Sequence, residues 1–148
     1  MTTVNPPDVH PLLNGRTVLL IEDDEVMLRA LGRAFQQAGC RVVGARDGDE
    51  GLVRFAERAP DLVITDILMP NREGVETILA MKARSPEVKI LAISGGGRLG
   101  AEEVLGLVIR LGADAVLPKP FRSAEILAAA SRLLDPQPET GAASRAAS

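Results

Sequence analysis

Five short apolar runs punctuate the chain: Val18-Leu19-Leu20-Ile21, Val42-Val43, Leu62-Val63-Ile64, Ile90-Leu91-Ala92-Ile93 and Ala115-Val116-Leu117. Most are uniformly apolar and do not alternate, which is the pattern of parallel strands covered on both faces. After each run comes a stretch with helical spacing, long enough for a crossover helix.

The first helix is expected from about Asp24, with Leu28, Leu31, Phe35 and Ala38 on one face and a stop at Gly39. The second has Asp47 as N-cap and Glu50 three residues on, buries Leu52, Phe55 and Ala56, and stops before Pro60. A third carries Val75, Ile78 and Leu79 and ends before Pro86. A fourth spans about Ala101 to Gly112. The fifth starts at Ser123 and presents Ile126, Leu127, Ala130, Leu133 and Leu134. Five βα units with right-handed crossovers predict an α/β fold: a doubly wound five-stranded parallel sheet with helices on both faces.

The ends differ from the middle. Residues 1–14 are polar and hold Pro6, Pro7 and Pro11, and residues 136–148 have no apolar period. Both are expected to be flexible tails around one domain at 15–135, because neither has enough apolar surface to offset the entropy of ordering.

Composition narrows the function. The net charge of -3 argues against nucleic acid as a main partner, since phosphate binding calls for a Lys/Arg surplus. The single cysteine, Cys40, excludes an internal disulfide and a cysteine metal cage, and reads as a buried thiol. No run approaches the roughly 18 apolar residues that span a bilayer. The N-terminus lacks a secretory pattern, so the expected location is cytoplasmic, with no membrane partner.

In doubly wound sheets the functional site lies beyond the carboxyl ends of the strands. There the sequence puts Glu22-Asp23-Asp24 after the first strand, Asp66 after the third, Ser94 after the fourth and Lys119 after the fifth. Crowded carboxylates repel and raise one another's pKa unless a cation neutralises them. Mg²⁺ suits such a set, being held by one or two carboxylates, waters and a phosphate oxygen. A carboxylate can also attack phosphorus, and the transfer then needs mainly positioning and neutralised charge.

Glu22-Asp23-Asp24, Asp66 with Met69-Pro70 close behind, Ser94, and Lys119-Pro120-Phe121 together resemble the response-regulator receiver family, over roughly Arg16 to Leu134. The resemblance implies a CheY-like (flavodoxin-like) strand order 2-1-3-4-5 and a cis peptide at Lys119-Pro120. It implies Asp66 as phosphoacceptor, Ser94 as switch hydroxyl and Lys119 as the cation on the phosphoryl group. Mg²⁺ would be held by Asp23 chiefly, by Asp66, by the Leu68 carbonyl, and by Glu22 or Asp24. The phosphoryl donor would be a histidine kinase or a histidine phosphotransfer protein.

No output domain is expected after Leu134, because the residues that follow are few and polar. The expectation is thus a stand-alone response regulator, a monomer or weak dimer, that signals by binding an unidentified downstream protein. It would be no enzyme beyond self-phosphorylation and dephosphorylation at Asp66.

Two departures from the family stand out. Val116 occupies a position that is often aromatic, and Gly95-Gly96-Gly97-Arg98-Leu99-Gly100 is long and rich in glycine. Ordering of that loop is expected to replace an aromatic swing. The fourth helix, apolar around most of its circumference, is expected to offer a partner-binding side. Leu68 and Gly96 cannot orient an attacking water, so slow phosphoryl loss is expected.

The simpler readings are that Glu22-Asp23-Asp24 start a capped helix, Asp66 is an N-cap or turn residue, Ser94 lies in a loop and Lys119 is a surface charge. Each is reasonable alone, but all four together at four strand ends argue for a site. A degenerate receiver acting as a constitutive interaction module is one rival. A flavin binder is another, disfavoured by three Phe with no Trp or Tyr for stacking. Gly95-x-Gly97-x-x-Gly100 matches a dinucleotide fingerprint, but in the fourth unit and without a following ribose acid.

Overall fold

The structure, a computed structural model, describes residues 10–67, 73–94, 106 and 109–136. The strands are β1 (Thr17–Ile21), β2 (Arg41–Ala45), β3 (Leu62–Asp66), β4 (Lys89–Ser94) and β5 (Ala115–Pro118). The helices are α1 (Glu25–Gln37), α2 (Gly48–Arg58), α3 (Glu73–Arg84) and α4 (Ser123–Leu133). All strand pairs are parallel, in the expected order β2-β1-β3-β4-β5.

Each central strand carries an unbroken apolar run because it feeds two cores. Val18 and Leu20 of β1 point to one face, with Leu31 and Phe35 of α1 and Ile126 and Ala130 of α4. Leu19 and Ile21 point to the other, with Phe55 of α2 and Ile78 and Met81 of α3. This is the strand period of two, here with both sides covered.

Local chemistry sets the helix ends. Asp24 is the N-cap of α1, its carboxylate accepting from the Val26 and Met27 amides. Gly39 follows the helix at φ +101°, a left-handed position that suits glycine. Asp47 caps α2 through the Glu50 amide, as expected, while Glu50 reaches back to the Arg46 amide. Left-handed Ala59 closes α2 just before Pro60.

Some expected core positions move. Ala56 is exposed, and α2 instead packs Gly48, Gly51 and Phe55 inward. Gly51 is there because a side chain would collide with Ile21 of β1. Ile78 is buried as expected, with Met81 and Thr77, whereas Leu79 is 48% exposed.

Cys40 is buried, its thiol donating to the Leu13 carbonyl. Burial first, and then the Asp61 carboxylate, push that thiol up to about 11. Residues 10–14, expected within the N-terminal tail, belong to the folded body. Leu13 is fully buried in the first core and the His10 amide bonds the Ala38 carbonyl. One apolar side chain that fills a gap between α1 and the sheet outweighs a polar, proline-rich composition around it.

Of the helix expected from Ala101 to Gly112, Gly106, Ile109 and Arg110 are described and helical, and Gly112 ends it at φ +109°. Val104, Leu105, Leu107 and Val108 lie outside the described residues, as do the loop 95–100, Leu68, Met69, Pro70 and the tail beyond Pro136.

Candidate functional site

Four neighbouring strands, β1, β3, β4 and β5, deliver one group each to the same sheet edge. Glu22 follows β1, its amide tied to the Ala45 carbonyl of β2. Asp66 is the last residue of β3, Ser94 the last of β4, and Lys119 follows Pro118 of β5. Register fixes their relative heights: Asp66 lies opposite Ile93, and Ser94 opposite Pro118. The Lys119 amide donates to the Ser94 carbonyl at 2.8 Å, and the Lys119-Pro120 peptide is cis, as expected.

The ammonium of Lys119 lies 2.9 Å from Asp66 Oδ2 and 3.7 Å from Glu22 Oε1. Glu22, Asp66 and Ser94 are all buried. A charged carboxylate rarely occupies such a place unless something compensates it.

Glu22 is only partly compensated. Its Oε2 accepts from the Asp24 amide at 3.1 Å, while Oε1 is buried without a hydrogen-bond partner. Burial raises its pKa above the ordinary carboxylate value. The Asp24 amide and Lys119 oppose that rise, whereas the Asp66 and Asp23 carboxylates add to it. For Lys119, burial favours the neutral amine, but the hydrogen bond and charge of Asp66, with Glu22 and Asp23, outweigh it and hold the pKa above the usual lysine value.

The three acids after β1 thus separate by environment. Glu22 is buried, whereas Asp23 and Asp24 are exposed. Asp24 uses Oδ1 as a helix cap, which is also the simplest sequence reading of that position. Leu68 lies outside the described residues.

A hard cation fits this donor set. An orphaned buried carboxylate oxygen, a second carboxylate beside it and Asp66 nearby make an acidic pocket that Lys119 alone does not neutralise. Among the described residues no group of three or more His, Cys, Asp or Glu could hold a metal. An Mg²⁺ site needs only one or two carboxylates, completed by carbonyls and water.

Fold and site edge together define a class: a doubly wound α/β domain with a carboxylate, a lysine and a hydroxyl gathered beyond its strand ends. The family model for the response regulator receiver domain matches residues 18–131. The chain belongs to that family, the receiver domains of two-component response regulators.

It is 34% identical over 131 residues to the response regulator MprA of Mycolicibacterium vanbaalenii, covering 88% of this chain and 55% of that protein. The solved receiver domain protein (CheY-like) of Methanospirillum hungatei superposes at a TM-score of 0.75 with 25% identity, over 84% of this chain and 97% of that one. A response regulator receiver domain protein from Clostridium thermocellum gives 0.73 and 26%, over 80% and 94%. The chain spans about half or less of most curated relatives, among them 49% of the transcriptional regulatory protein PhoP of Bacillus subtilis. Among the described residues no helix is long and apolar enough to cross a membrane.

Proposed function

We propose that Asp66 accepts a phosphoryl group from a phosphohistidine of a histidine kinase or phosphotransfer protein, and that the modified domain signals in the cytoplasm by binding another protein. The single observation that carries this is the Lys119 ammonium 2.9 Å from the buried Asp66 carboxylate at the carboxyl edge of the sheet. A carboxylate oxygen attacks phosphorus, the donor N–P bond breaks, and an acyl phosphate forms on Asp66. Lys119 stays protonated and can follow the new charge of about -1.5 to -2 from the carboxylate to a phosphoryl oxygen. The Ser94 hydroxyl, from the end of the next strand, would donate to another.

Asp23 would chiefly hold Mg²⁺, with Asp66 or Glu22 as the second carboxylate, the Leu68 carbonyl and water, the Asp24 carboxylate being occupied as a cap. When bound, the ion neutralises the phosphoryl oxygens during transfer. The chain would be no enzyme beyond this reaction on itself. A net charge of -3 supports a protein over a nucleic acid as the downstream partner.

The alternative, a receiver that is never phosphorylated, draws on one feature: Val116, in place of the common aromatic, packs into the second core with Leu52 and Leu111. Incubation with Mg²⁺ and a small phosphodonor, followed by mass spectrometry, separates the two. Wild type is expected to gain one phosphoryl mass and Asp66→Asn none. A wild type that stays unmodified with any donor favours the constitutive module.

A further inference from the structure

The position of Lys119 depends on β5, a short strand at the sheet edge. It has four residues at the sheet edge, all only partly buried or exposed, and four register pairs with β4. A slip of one residue would send every side chain to the opposite face and carry Lys119 off Asp66.

At the end remote from the site, a polar pin sets the start of this strand. The Asp114 amide donates to the Ile90 carbonyl at 2.8 Å, and the Asp114 carboxylate accepts from the Ile90 amide at 2.8 Å. Asp114 therefore brackets one residue of β4 with backbone and side chain together. The same carboxylate oxygen lies 3.0 Å from the ammonium of Lys82, near the end of α3. That ammonium also donates to the Val88 carbonyl at 2.6 Å, just before β4, and to the Pro86 carbonyl at 3.5 Å. The Lys82 stem runs over Gly112, where a side chain would crowd it. The side chains of the pair are 20% and 25% exposed, at the surface end of the strand.

We infer that Lys82 and Asp114 are positioning residues for Lys119: the pin fixes the β4–β5 register from the far end of the strand, roughly 16 Å of extended chain away. The inference rests on the reading of Asp66 as phosphoacceptor only for its effect on rate. The effect on register stands apart from it. A pair that only stabilised the fold would lower the melting temperature and leave the folded site unchanged.

The experiment compares wild type, Lys82→Met, Asp114→Asn and Lys82→Arg with Ala34→Gly, a mild core change on α1. Lys82→Met keeps the stem over Gly112, and Asp114→Asn keeps an acceptor for the Ile90 amide, so both are the milder choices for retaining the fold. Two readouts are taken under conditions where every variant is folded. One is hydrogen exchange of the Lys119 amide, which reports its bond to Ser94. The other is the rate of phosphorylation by a small phosphodonor in magnesium buffer.

Lys82→Met and Asp114→Asn are expected to speed that exchange by about tenfold and to slow phosphorylation several-fold. Lys82→Arg, which can refill the carbonyl contacts, restores most of both, and Ala34→Gly moves neither. Wild-type exchange at Lys119 in both pin variants would overturn the inference. So would exchange that rises equally in Ala34→Gly. If wild type takes no phosphoryl group, the function proposed for Asp66 fails while the exchange data still decide the register.

Discussion

Glu22 concentrates a conflict at the scale of one residue. A carboxylate with a buried, unpartnered oxygen destabilises the fold that holds it, and its raised pKa expresses that cost. Below the ordinary value of 4.5 the group is protonated in both folded and unfolded chains and costs nothing. As pH rises through the raised folded value, the unfolded chain releases the proton more readily, and stability falls. Glu22→Gln is therefore expected to melt higher than wild type at neutral pH without divalent cation, by a few degrees, and to show no such gain at acid pH. Added Mg²⁺ should raise the melting temperature of wild type by more than that of the variant, which has lost one neighbouring carboxylate. Thermal melts at two pH values with and without Mg²⁺ test this, and a lower-melting variant at neutral pH would refute it.

Among the elements, α1 shows how one acidic tripeptide divides its labour. Asp24 accepts from two amides of the first helical turn, and such caps contribute roughly 1 kcal/mol. Asp24→Ala is expected to lose about that much in urea melts, whereas Asp24→Asn keeps most of it because asparagine caps well. Phosphorylation of Asp24→Asn should stay close to wild type. A rate as low as that of Asp23→Asn would instead place Asp24 among the metal ligands. The elements also show where periodicity misleads. The pattern on α3 put Leu79 inside with Ile78, but Leu79 is 48% exposed while Ile78 and Met81 are fully buried. Several apolar residues lie around its circumference, and only docking on the sheet chooses among them.

Across the whole molecule, the two cores are unequal in how they close. The first reaches beyond the sheet to Leu13, which is fully buried and whose carbonyl accepts from the Cys40 thiol. A segment with the composition of a tail thereby becomes part of the body. Leu13→Ala should cost on the order of 2–5 kcal/mol, the usual range for a large buried aliphatic, in chemical denaturation. A loss below about 0.5 kcal/mol would mean that the contact is dispensable. The polar pin of Lys82 and Asp114 belongs to this scale too, since it links α3, β4 and β5 far from the residues that it serves.

Local pattern was enough to read the strands, their parallel arrangement and which groups stand at their ends. Uniformly apolar runs and helix caps are local signals, and Glu22, Asp66, Ser94 and Lys119 each sit where a strand must stop. It could not rank the three acids after β1, because burial depends on neighbours brought in from β3 and β5. Nor could it detect Leu13, Lys82 or Asp114, whose partners lie 24 or more residues away for the cysteine and the Ile90 contacts and 32 away for the ion pair. Tertiary structure decided those, because desolvation and register are properties of packed strands and helices that no single segment carries.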